Sequence, residues 1–439
     1  MKFKKVNLNL VTFLIVSLLI LSSMGFAAPK NNKEVVVRLI TSTGSLAKAL
    51  PQYIEEFNKL NKGKIRVEAE AESMSSLLPK LMTQFITKVP TYDIIPVNSP
   101  WSGRLEKYLY SLDSLLKKDK LSANNLFGEK AMDSRTSKQG KVISLPISSA
   151  AHILFYRTDL FKEAGLKVPK TLSEYLNAAR KLTKRSASGE VEVYGMGGFR
   201  SLGIGDDAQT LAYFLHPSGG RVLNAEKTDA HPSLKGPVTV GVLKFMNTVA
   251  KEGLCPNPLS WDQYTDRPAF AQGKLAMSIV YSPIASMIED PKQSKVAGKV
   301  GYEVVKLERI GPEPSVAFAS GWGFGIDKNS PNKNEAWEFI KYVTTNFDVQ
   351  KDMGMKGLND PSLLNVLGDS DFTAKIKSAG PIREIMTSFG FDLPQDVEQG
   401  TEIELIIHEE MQMMWAGRKT PEQVATALYD RIHKLMTGK

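Results

Sequence analysis

The chain has 439 residues, and its 56 Lys and Arg against 47 Asp and Glu give a formal net charge of +9. The single cysteine, Cys255, excludes an intramolecular disulfide bond. Basic residues are interspersed with acidic ones and form no stripe with interleaved aromatic residues, so we predict no binding to nucleic acid. The length is sufficient for two globular domains, each with its own core.

The amino terminus has the pattern of a signal peptide. A basic segment, MKFKK, precedes an apolar run over Val11–Leu21 and then small residues that include Gly25 and Ala27. This pattern predicts a signal peptide over residues 1–27, with cleavage after Ala27. A membrane anchor is disfavoured because the run is shorter than the ~20 residues that a membrane span needs.

No cysteine lies near the predicted cleavage position, so we expect no lipid attachment there. Removal of residues 1–27 leaves 412 residues (439 less 27) and a net charge of +6 (+9 less Lys2, Lys4 and Lys5). We therefore expect an exported, soluble, monomeric protein that diffuses in the periplasm.

Strand and helix patterns alternate after the signal region. The apolar spacing predicts three strands and two intervening helices, which in chain order are Val35–Ile40, Leu46–Leu60, Ile65–Ala71, Leu77–Ile86 and Tyr92–Val97. This order predicts an α/β fold with a parallel sheet covered by helices. Ligands bind at the carboxyl ends of the strands in such sheets. The relevant loops are then Thr41–Gly44 and Asn98–Trp101.

A second informative stretch, residues 316–343, reads VAFASGWGFGIDKNSPNKNEAWEFIKYV. Val316–Ser320 has the composition of a strand, and the glycines around Trp322 allow the backbone to approach another surface closely. Ser330 is a candidate N-cap, followed by proline at the first helical position. From the residues alone, Trp322 is either an aromatic plate facing open space or a core residue between tight turns.

Four segments in chain order resemble signatures of the family 1 bacterial extracellular solute-binding proteins. They are GKVISLP with YRTDLFKEAGL and PKT within residues 138–182, FAQGKLAM at 270–277, GWG with SPNKNEAWEFI within 316–343, and WAGRKTPEQ at 415–423. These proteins are the sugar receptors of bacterial ABC importers and include the maltodextrin-binding proteins. The resemblance spans nearly the whole mature chain. Residues 348–371 depart from the family's usual Gly-x-x-Pro turn, so nothing is carried over to them.

The resemblance implies a two-lobe periplasmic binding protein fold of type II. Each lobe would be a mostly parallel sheet flanked by helices, with the ligand cleft between the lobes. In this family the chain crosses between lobes near the equivalent of Pro146–Ala151. From the order of the signatures we predict an N-terminal lobe of residues 31–147 and 310–346, and a C-terminal lobe of residues 148–309 and 347–439.

Catalytic and metal-binding patterns are missing from the sequence. It has neither a Gly-x-Ser-x-Gly elbow nor a phosphate-binding Gly-x-x-x-x-Gly-Lys loop. The segment His408–Gln412 resembles a zinc helix motif but ends in Gln instead of His, and the histidines are scattered. Neighbouring acids such as Glu409 and Glu410 are typical of a solvated face. We therefore expect no enzyme activity, no cofactor and no metal.

Aromatic residues and small polar residues at strand ends suit a sugar, whose apolar face stacks on a ring while its hydroxyl groups form hydrogen bonds. We expect Trp322 to stack on the ligand from one lobe and Tyr281 from the other. The full set of predicted ligand-binding residues is Ser42, Thr43, Asn98, Trp101, His152, Asp206, Asp207, Tyr281, Ser282, Gly321 and Trp322.

The favoured hypothesis is a receptor that captures a mono- or oligosaccharide by hinge closure and delivers it to the permease subunits of an ABC importer. A polyol or glycerol-phosphate ligand is the alternative within the same class, and Arg200 with its nearby glycines is a candidate phosphate site. An exported carbohydrate-active enzyme is the alternative from another class, although no pair of carboxylates stands out in the sequence.

Overall fold

The computed structural model describes residues 34–203, 205–316, 319–388 and 397–438. The predicted signal peptide therefore lies outside the described residues. The strands within them are β1 (Val35–Ser42), β2 (Ile65–Glu72), β3 (Ile94–Asn98), β4 (Leu145–Pro146), β5 (Ala150–Arg157), β6 (Lys184–Arg185), β7 (Val191–Val193), β8 (Met277–Tyr281), β9 (Val300–Glu303), β10 (Ala319–Ser320) and β11 (Trp322–Ile326).

Helices surround these strands, as the apolar spacing predicts. The described α-helices are Ser45–Leu60, Met74–Thr87, Ser102–Leu105, Asp113–Lys118, Ala123–Phe127, Glu129–Met132, Thr158–Glu163, Leu172–Leu182, Asp206–Leu215, Pro237–Lys251, Gln263–Ala271, Ala285–Glu289, Lys333–Thr345, Phe347–Met355, Leu364–Leu367, Ser370–Lys375, Ala379–Ser388, Gly400–Trp415 and Pro421–Thr437.

The first sheet has the strand order β2-β1-β3-β11-β4. The strands β1, β2 and β3 are parallel, and β11 pairs antiparallel with both β3 and β4. Most apolar residues of β1 and all those of β3 are buried because helices cover them, as expected for parallel strands. The polar residues that follow β1 and β3 consequently lie at one edge of this sheet.

The second sheet is built on β5, which pairs antiparallel with β8, β9 and β10. The expectation of a mostly parallel sheet in each lobe thus fits the first sheet but not the named strands of the second. Residues His152 and Tyr281 face each other in the β5–β8 register. Two polar or aromatic side chains at the end of this sheet are thereby brought together.

The stretch around Trp322 is strand β11 itself and not a loop after a strand. Glycine is required here because the neighbouring backbone is very close. A Cβ added to Gly321 would lie 2.3 Å from the carbonyl oxygen of Ser148, and one added to Gly323 would lie 2.8 Å from that of Leu145. The glycines therefore allow β11 to pack against the segment that leaves β4.

The chain passes between the two sheets at two adjacent places. It leaves β4 at Pro146 and enters β5 at Ala150, and it leaves β10 at Ser320 and enters β11 at Trp322. A third segment packs on this junction, where the backbone N–H of Ser149 donates to the carbonyl of Asp360 at 3.3 Å. We call residues 147–149, 321 and 359–361 the junction.

One boundary of the expected lobes differs from the observed pairing. The return to the N-terminal lobe was expected at Ile310, but the backbone N–H groups of Ile310 and Gly311 bond to the carbonyl of Ser218, and β10 still pairs with β5. The chain rejoins the first sheet only at Trp322. The division into lobes otherwise stays a prediction.

The two predicted helix starts have different outcomes. At Thr420 the predicted capping box with Gln423 is present. At Ser330 the predicted N-cap is wrong, because the helix begins three residues later at Lys333 and Asn332 is at the N-cap position. The hydroxyl of Ser330 is buried, donates to Asp93 at 2.6 Å and accepts from the backbone N–H of Asn332 at 3.0 Å. The hydroxyl therefore bonds to the residue before the helix and not to the first turn of the helix.

Candidate functional site

A cavity of about 270 Å³ lies where the ends of both sheets meet. The first sheet and its adjoining loops and helices contribute Ser42, Thr43, Gly44, Met74, Asn98, Gly321 and Trp322. The second sheet and its helices contribute His152, Gln209, Gln263, Tyr264, Arg267 and Tyr281. Seven of the eleven residues predicted to bind ligand line this cavity, and they come from both sides.

Trp322 and Asn98 form the centre of the first wall. They are opposite each other in the antiparallel pairing of β11 with β3. The ring of Trp322 is partly buried, and Trp101 meets it edge to face, with centroids 5.5 Å apart and ring planes at 89°. Trp101 is not among the cavity-lining residues. Its role in this geometry is to hold the indole of Trp322.

A buried arginine fixes the backbone beside this wall. The guanidinium of Arg135, 2% exposed, donates to the carbonyl of Val97 at 2.6 Å, to Oγ of Ser99 at 3.0 Å and to the carbonyl of Gly321 at 2.7 Å. Burial lowers the pKa of Arg135 to about 9. The three bonds join the end of β3 to the start of β11, and thus set the position of Asn98 and Trp322.

Aromatic rings form the second wall. The imidazole of His152 lies 5.1 Å from the ring of Tyr213 and 5.6 Å from the ring of Tyr281, measured between centroids. Burial, with the charges of Arg200 and Arg267, holds the pKa of His152 well below its usual range. The imidazole is therefore neutral at pH 7 and offers one N–H donor and one nitrogen acceptor.

A cavity lined by residues from two sheets is the arrangement expected of a solute receptor, and comparisons with known proteins agree. The model of the family "Bacterial extracellular solute-binding protein" matches residues 42–346. The chain belongs to this family. Its members are receptors rather than enzymes, so the alternative of an exported carbohydrate-active enzyme is set aside.

Individual relatives are distant but span nearly the whole chain. The "Probable amino-acid ABC transporter periplasmic-binding protein y4oP" of Sinorhizobium fredii is 22% identical, covering 93% of this chain and 91% of that protein.

Two solved structures share the fold. An ABC transporter solute-binding protein of Agrobacterium radiobacter in complex with ribitol has a TM-score of 0.76 at 24% identity, over 92% of this chain and 100% of that one. Maltose-bound MalE3 of T. maritima has a TM-score of 0.74 at 20% identity, over 91% and 99%. The two-lobe periplasmic fold predicted from the sequence is confirmed.

Asp207 is part of a buried network in this solute-binding protein and does not line the cavity. It is fully buried and accepts hydrogen bonds from Ser201 at 2.7 Å, His408 at 2.8 Å and the indole N–H of Trp415 at 3.0 Å. The bond to Asp207 raises the pKa of His408. The prediction that Asp207 contacts ligand does not match this placement, since its oxygens are occupied inside the lobe.

Asp206 and Arg200 lie behind the second wall and not on it. Nε of Arg200 is 4.0 Å from Oδ1 of Asp206, and both side chains are nearly inaccessible. Burial raises the pKa of Asp206 to about 6, although the positive charge of Arg200 opposes the shift. Arg200 donates to the hydroxyl of Tyr213, which in turn donates to Oε1 of Gln209 at 3.3 Å. Among the described hydrogen bonds, those of Tyr213 connect Arg200 to the lining residue Gln209.

Ser282 is also absent from the lining. Its hydroxyl donates to Oδ2 of Asp360 and accepts from the backbone N–H of Ala151 at 3.1 Å. The side chain is fully buried and ties the end of β8 to the junction. Its predicted contact with ligand does not fit this position, because the chain turns at Tyr281 and carries Ser282 behind the wall.

Four polar lining residues were not predicted, and all lie on the helices Asp206–Leu215 and Gln263–Ala271. They are Gln209, Gln263, Tyr264 and Arg267. The last three belong to the helix Gln263–Ala271, which leads into the FAQGKLAM segment that did carry the resemblance. Their position next to that segment is the sequence signal that could have identified these residues. Helical periodicity alone cannot show which polar face lies against a cleft and which lies in water.

Among the described residues, no cluster of three or more His, Cys, Asp or Glu side chains is arranged to hold a metal ion. No helix in the described ranges is long and apolar enough to cross a membrane.

Proposed function

We propose that this protein is the receptor of an ABC importer and captures a carbohydrate, a sugar or a polyol, in the cavity between its two sheets. The observation that carries the proposal is the composition of that cavity. Aromatic rings stand on both sides, Trp322 from β11 and Tyr281 from β8, and the polar atoms of Asn98, Ser42 and Gln209 surround them.

The chemistry of these side chains fits a polyhydroxylated ligand. A ring covers the apolar C–H face of a sugar, and amides and hydroxyls bond to its hydroxyl groups. A cavity of about 270 Å³ is slightly smaller than typical small-molecule sites, which span roughly 300–1,000 Å³. The size favours a monosaccharide or a linear polyol over a long oligosaccharide.

The solved structures support the same class, since one holds ribitol and the other maltose. The relative described as an amino-acid transporter component suggests a different ligand. An amino acid brings an α-ammonium group that needs a carboxylate partner when it is buried. Among the described residues that line the cavity there is no Asp or Glu, so the lining favours the carbohydrate.

The proposed mechanism is closure of two lobes about the junction. A ligand that contacts Trp322 and Tyr281 together binds the closed form more tightly than the open form, and this difference drives closure. A permease would then recognise the closed receptor. Export by the predicted signal peptide and a monomeric state are part of the proposal, and mass spectrometry of the exported protein tests cleavage after Ala27.

A thermal-shift screen tests the ligand class. The panel consists of neutral sugars, linear polyols, sugar acids, sugar phosphates and amino acids, with calorimetry on every hit. We expect at least one carbohydrate to raise the melting temperature, since a ligand at 100 times its Kd stabilises the folded state by ~2.7 kcal/mol. A response to amino acids alone, or to nothing in the panel from a folded sample, would contradict the proposal.

A further inference from the structure

The lining of the cavity includes a positively charged side chain. Among the described residues that line the cavity, Arg267 is the only one with a formal charge, because His152 is neutral. Arg267 is on the helix Gln263–Ala271, with its guanidinium carbon 5.3 Å from the ring centroid of Tyr264 and 5.5 Å from that of Tyr281. The cation is therefore placed at the aromatic side of the cavity.

No carboxylate among the described residues forms a hydrogen bond or ion pair with this arginine. The hydrogen bond that the described structure gives Arg267 runs from Nη2 to the neutral Oε1 of Gln263, at 2.7 Å. The nearest acid in the sequence, Asp266, is turned inward, where it accepts from Ser278 at 2.7 Å and from the backbone N–H of Gly198 at 3.3 Å.

The buried acids behind the wall serve a different arginine. Asp206 lies 4.0 Å from Arg200, and the charge of Asp266 acts more strongly on Arg200 than on Arg267. Asp207 is engaged by His408. Arg200 is fully buried and needs these counter-charges, since an isolated buried cation is very costly. Arg267 is then the cation that remains for a ligand.

On this basis we propose that the ligand is an anionic carbohydrate, whose carboxylate or phosphate oxygens bind the guanidinium of Arg267. Such charge-assisted and often bidentate pairs are the strongest polar contacts that a site can offer. The apolar face of the same ligand packs on Trp322. Gln209 accepts a hydrogen bond from Tyr213 through its amide oxygen, so its amide N–H groups can donate to ligand oxygens. This inference rests on the proposed function and narrows it to acidic sugars and sugar or polyol phosphates.

Matched pairs of probes test the inference by calorimetry. Each pair shares a carbon skeleton and differs in charge: glucose and glucuronate, ribitol and ribonate, mannitol and mannitol 1-phosphate, glycerol and sn-glycerol 3-phosphate. We expect an anionic member to bind about ten- to a hundredfold more tightly than its neutral partner, the range that one charged hydrogen-bonded contact supplies. Binding of carboxylates but not phosphates, or the reverse, then identifies the source of the anion.

Variants of Arg267 separate its charge from its packing. Arg267→Gln is expected to weaken binding of the anion by about tenfold or more beyond its effect on the neutral partner, so that the preference is lost, whereas Arg267→Lys keeps part of the preference. Arg180→Gln is the control, since Arg180 is exposed and pairs with Glu252 outside the cavity. Urea unfolding of each variant shows that it is folded.

Four outcomes decide the inference and keep it distinct from the proposed function. Preference for the anion, lost in Arg267→Gln, supports it. Equal or tighter binding of the neutral partners overturns the inference but leaves the proposed carbohydrate receptor standing. An equal loss of affinity for both partners in Arg267→Gln has the same consequence. Binding of no carbohydrate by the folded protein overturns the proposed function itself.

Discussion

Nη2 of Arg135 lies 2.7 Å from the carbonyl oxygen of Gly321. This contact joins a residue that does not itself line the cavity to the backbone that carries Trp322. Because Arg135 also bonds to the carbonyl of Val97 and to Ser99, one buried side chain sets the spacing of β3 and β11 at their cavity ends. Arg135 is a positioning residue for the candidate site.

Arg135→Met should reduce both stability and ligand affinity. It leaves buried oxygens without donors, each at a cost of about 1–3 kcal/mol, so we expect the free energy of unfolding to fall by about 2–5 kcal/mol. Affinity should fall in the molecules that remain folded, because Asn98 and Trp322 lose their register. Arg66→Met, on an exposed pair, is the control. Urea unfolding and calorimetry measure the two effects, and a stable variant with unchanged affinity would contradict this role.

Gly321→Ala should be strongly destabilising for a steric reason. The new Cβ would lie 2.3 Å from the carbonyl oxygen of Ser148, so the strand β11 or the junction must move. Gly241→Ala is the matched control, since Gly241 is in the helix Pro237–Lys251 with nothing within 4 Å of its added Cβ. We expect that control to stabilise by about 0.5–1 kcal/mol. If both variants unfold at the same urea concentration, the result contradicts a steric clash at Gly321.

Trp322→Ala distinguishes a binding residue from a core residue. We expect a loss of ligand affinity of about 1–3 kcal/mol, similar to stacking of other planar groups on aromatic side chains. The loss of stability should be smaller than the roughly 3–5 kcal/mol expected for Trp337→Ala, because Trp337 is only 1% exposed in the core whereas Trp322 is partly exposed. Unchanged affinity in folded Trp322→Ala would show that the ring only packs.

Asp360→Asn should change the pH dependence of stability. Burial raises the pKa of Asp360 from 3.8 to about 7, with the bond from Ser282 acting against the shift. The folded state therefore holds this proton more tightly than the unfolded chain, and the wild-type protein loses stability as pH rises from 3.8 to about 7.

The asparagine at position 360 would be neutral at every pH. Relative to wild type, the variant should gain on the order of 2 kcal/mol between pH 5 and pH 8. Urea unfolding of both proteins at the two pH values checks this difference. The same difference in unfolding free energy at pH 5 and pH 8 would mean that Asp360 is not the group that titrates.

The sequence predicted the fold and much of one cavity wall because those features leave local patterns. Apolar runs and turn residues located β1, β2 and β3, and the polar residues after them, Ser42 and Asn98, line the cavity as strand-end geometry requires. The segment around Trp322 was also recognisable. Its pairing as strand β11 was not, because that depends on contacts with Leu145 and Ser148, which are far away in the chain.

The second wall shows why residue type alone is insufficient. Asp206 and Asp207 are adjacent, so on a helix their side chains project about 100° apart. One lies beside Arg200 and the other is held by His408 and Trp415, and neither faces the cavity. Arg267 faces the cavity, whereas the residue before it, Asp266, points inward. Only the packing of the helix Gln263–Ala271 decides between them.

The most direct test of the account is a crystal structure of the protein with the ligand that the thermal-shift screen identifies. We predict that one molecule occupies the cavity between the sheets, with a ring face or carbon chain on Trp322, a contact to Tyr281 from the opposite side and its anionic group on Arg267. A ligand bound outside this cavity, or one that touches residues of a single sheet only, would contradict the account.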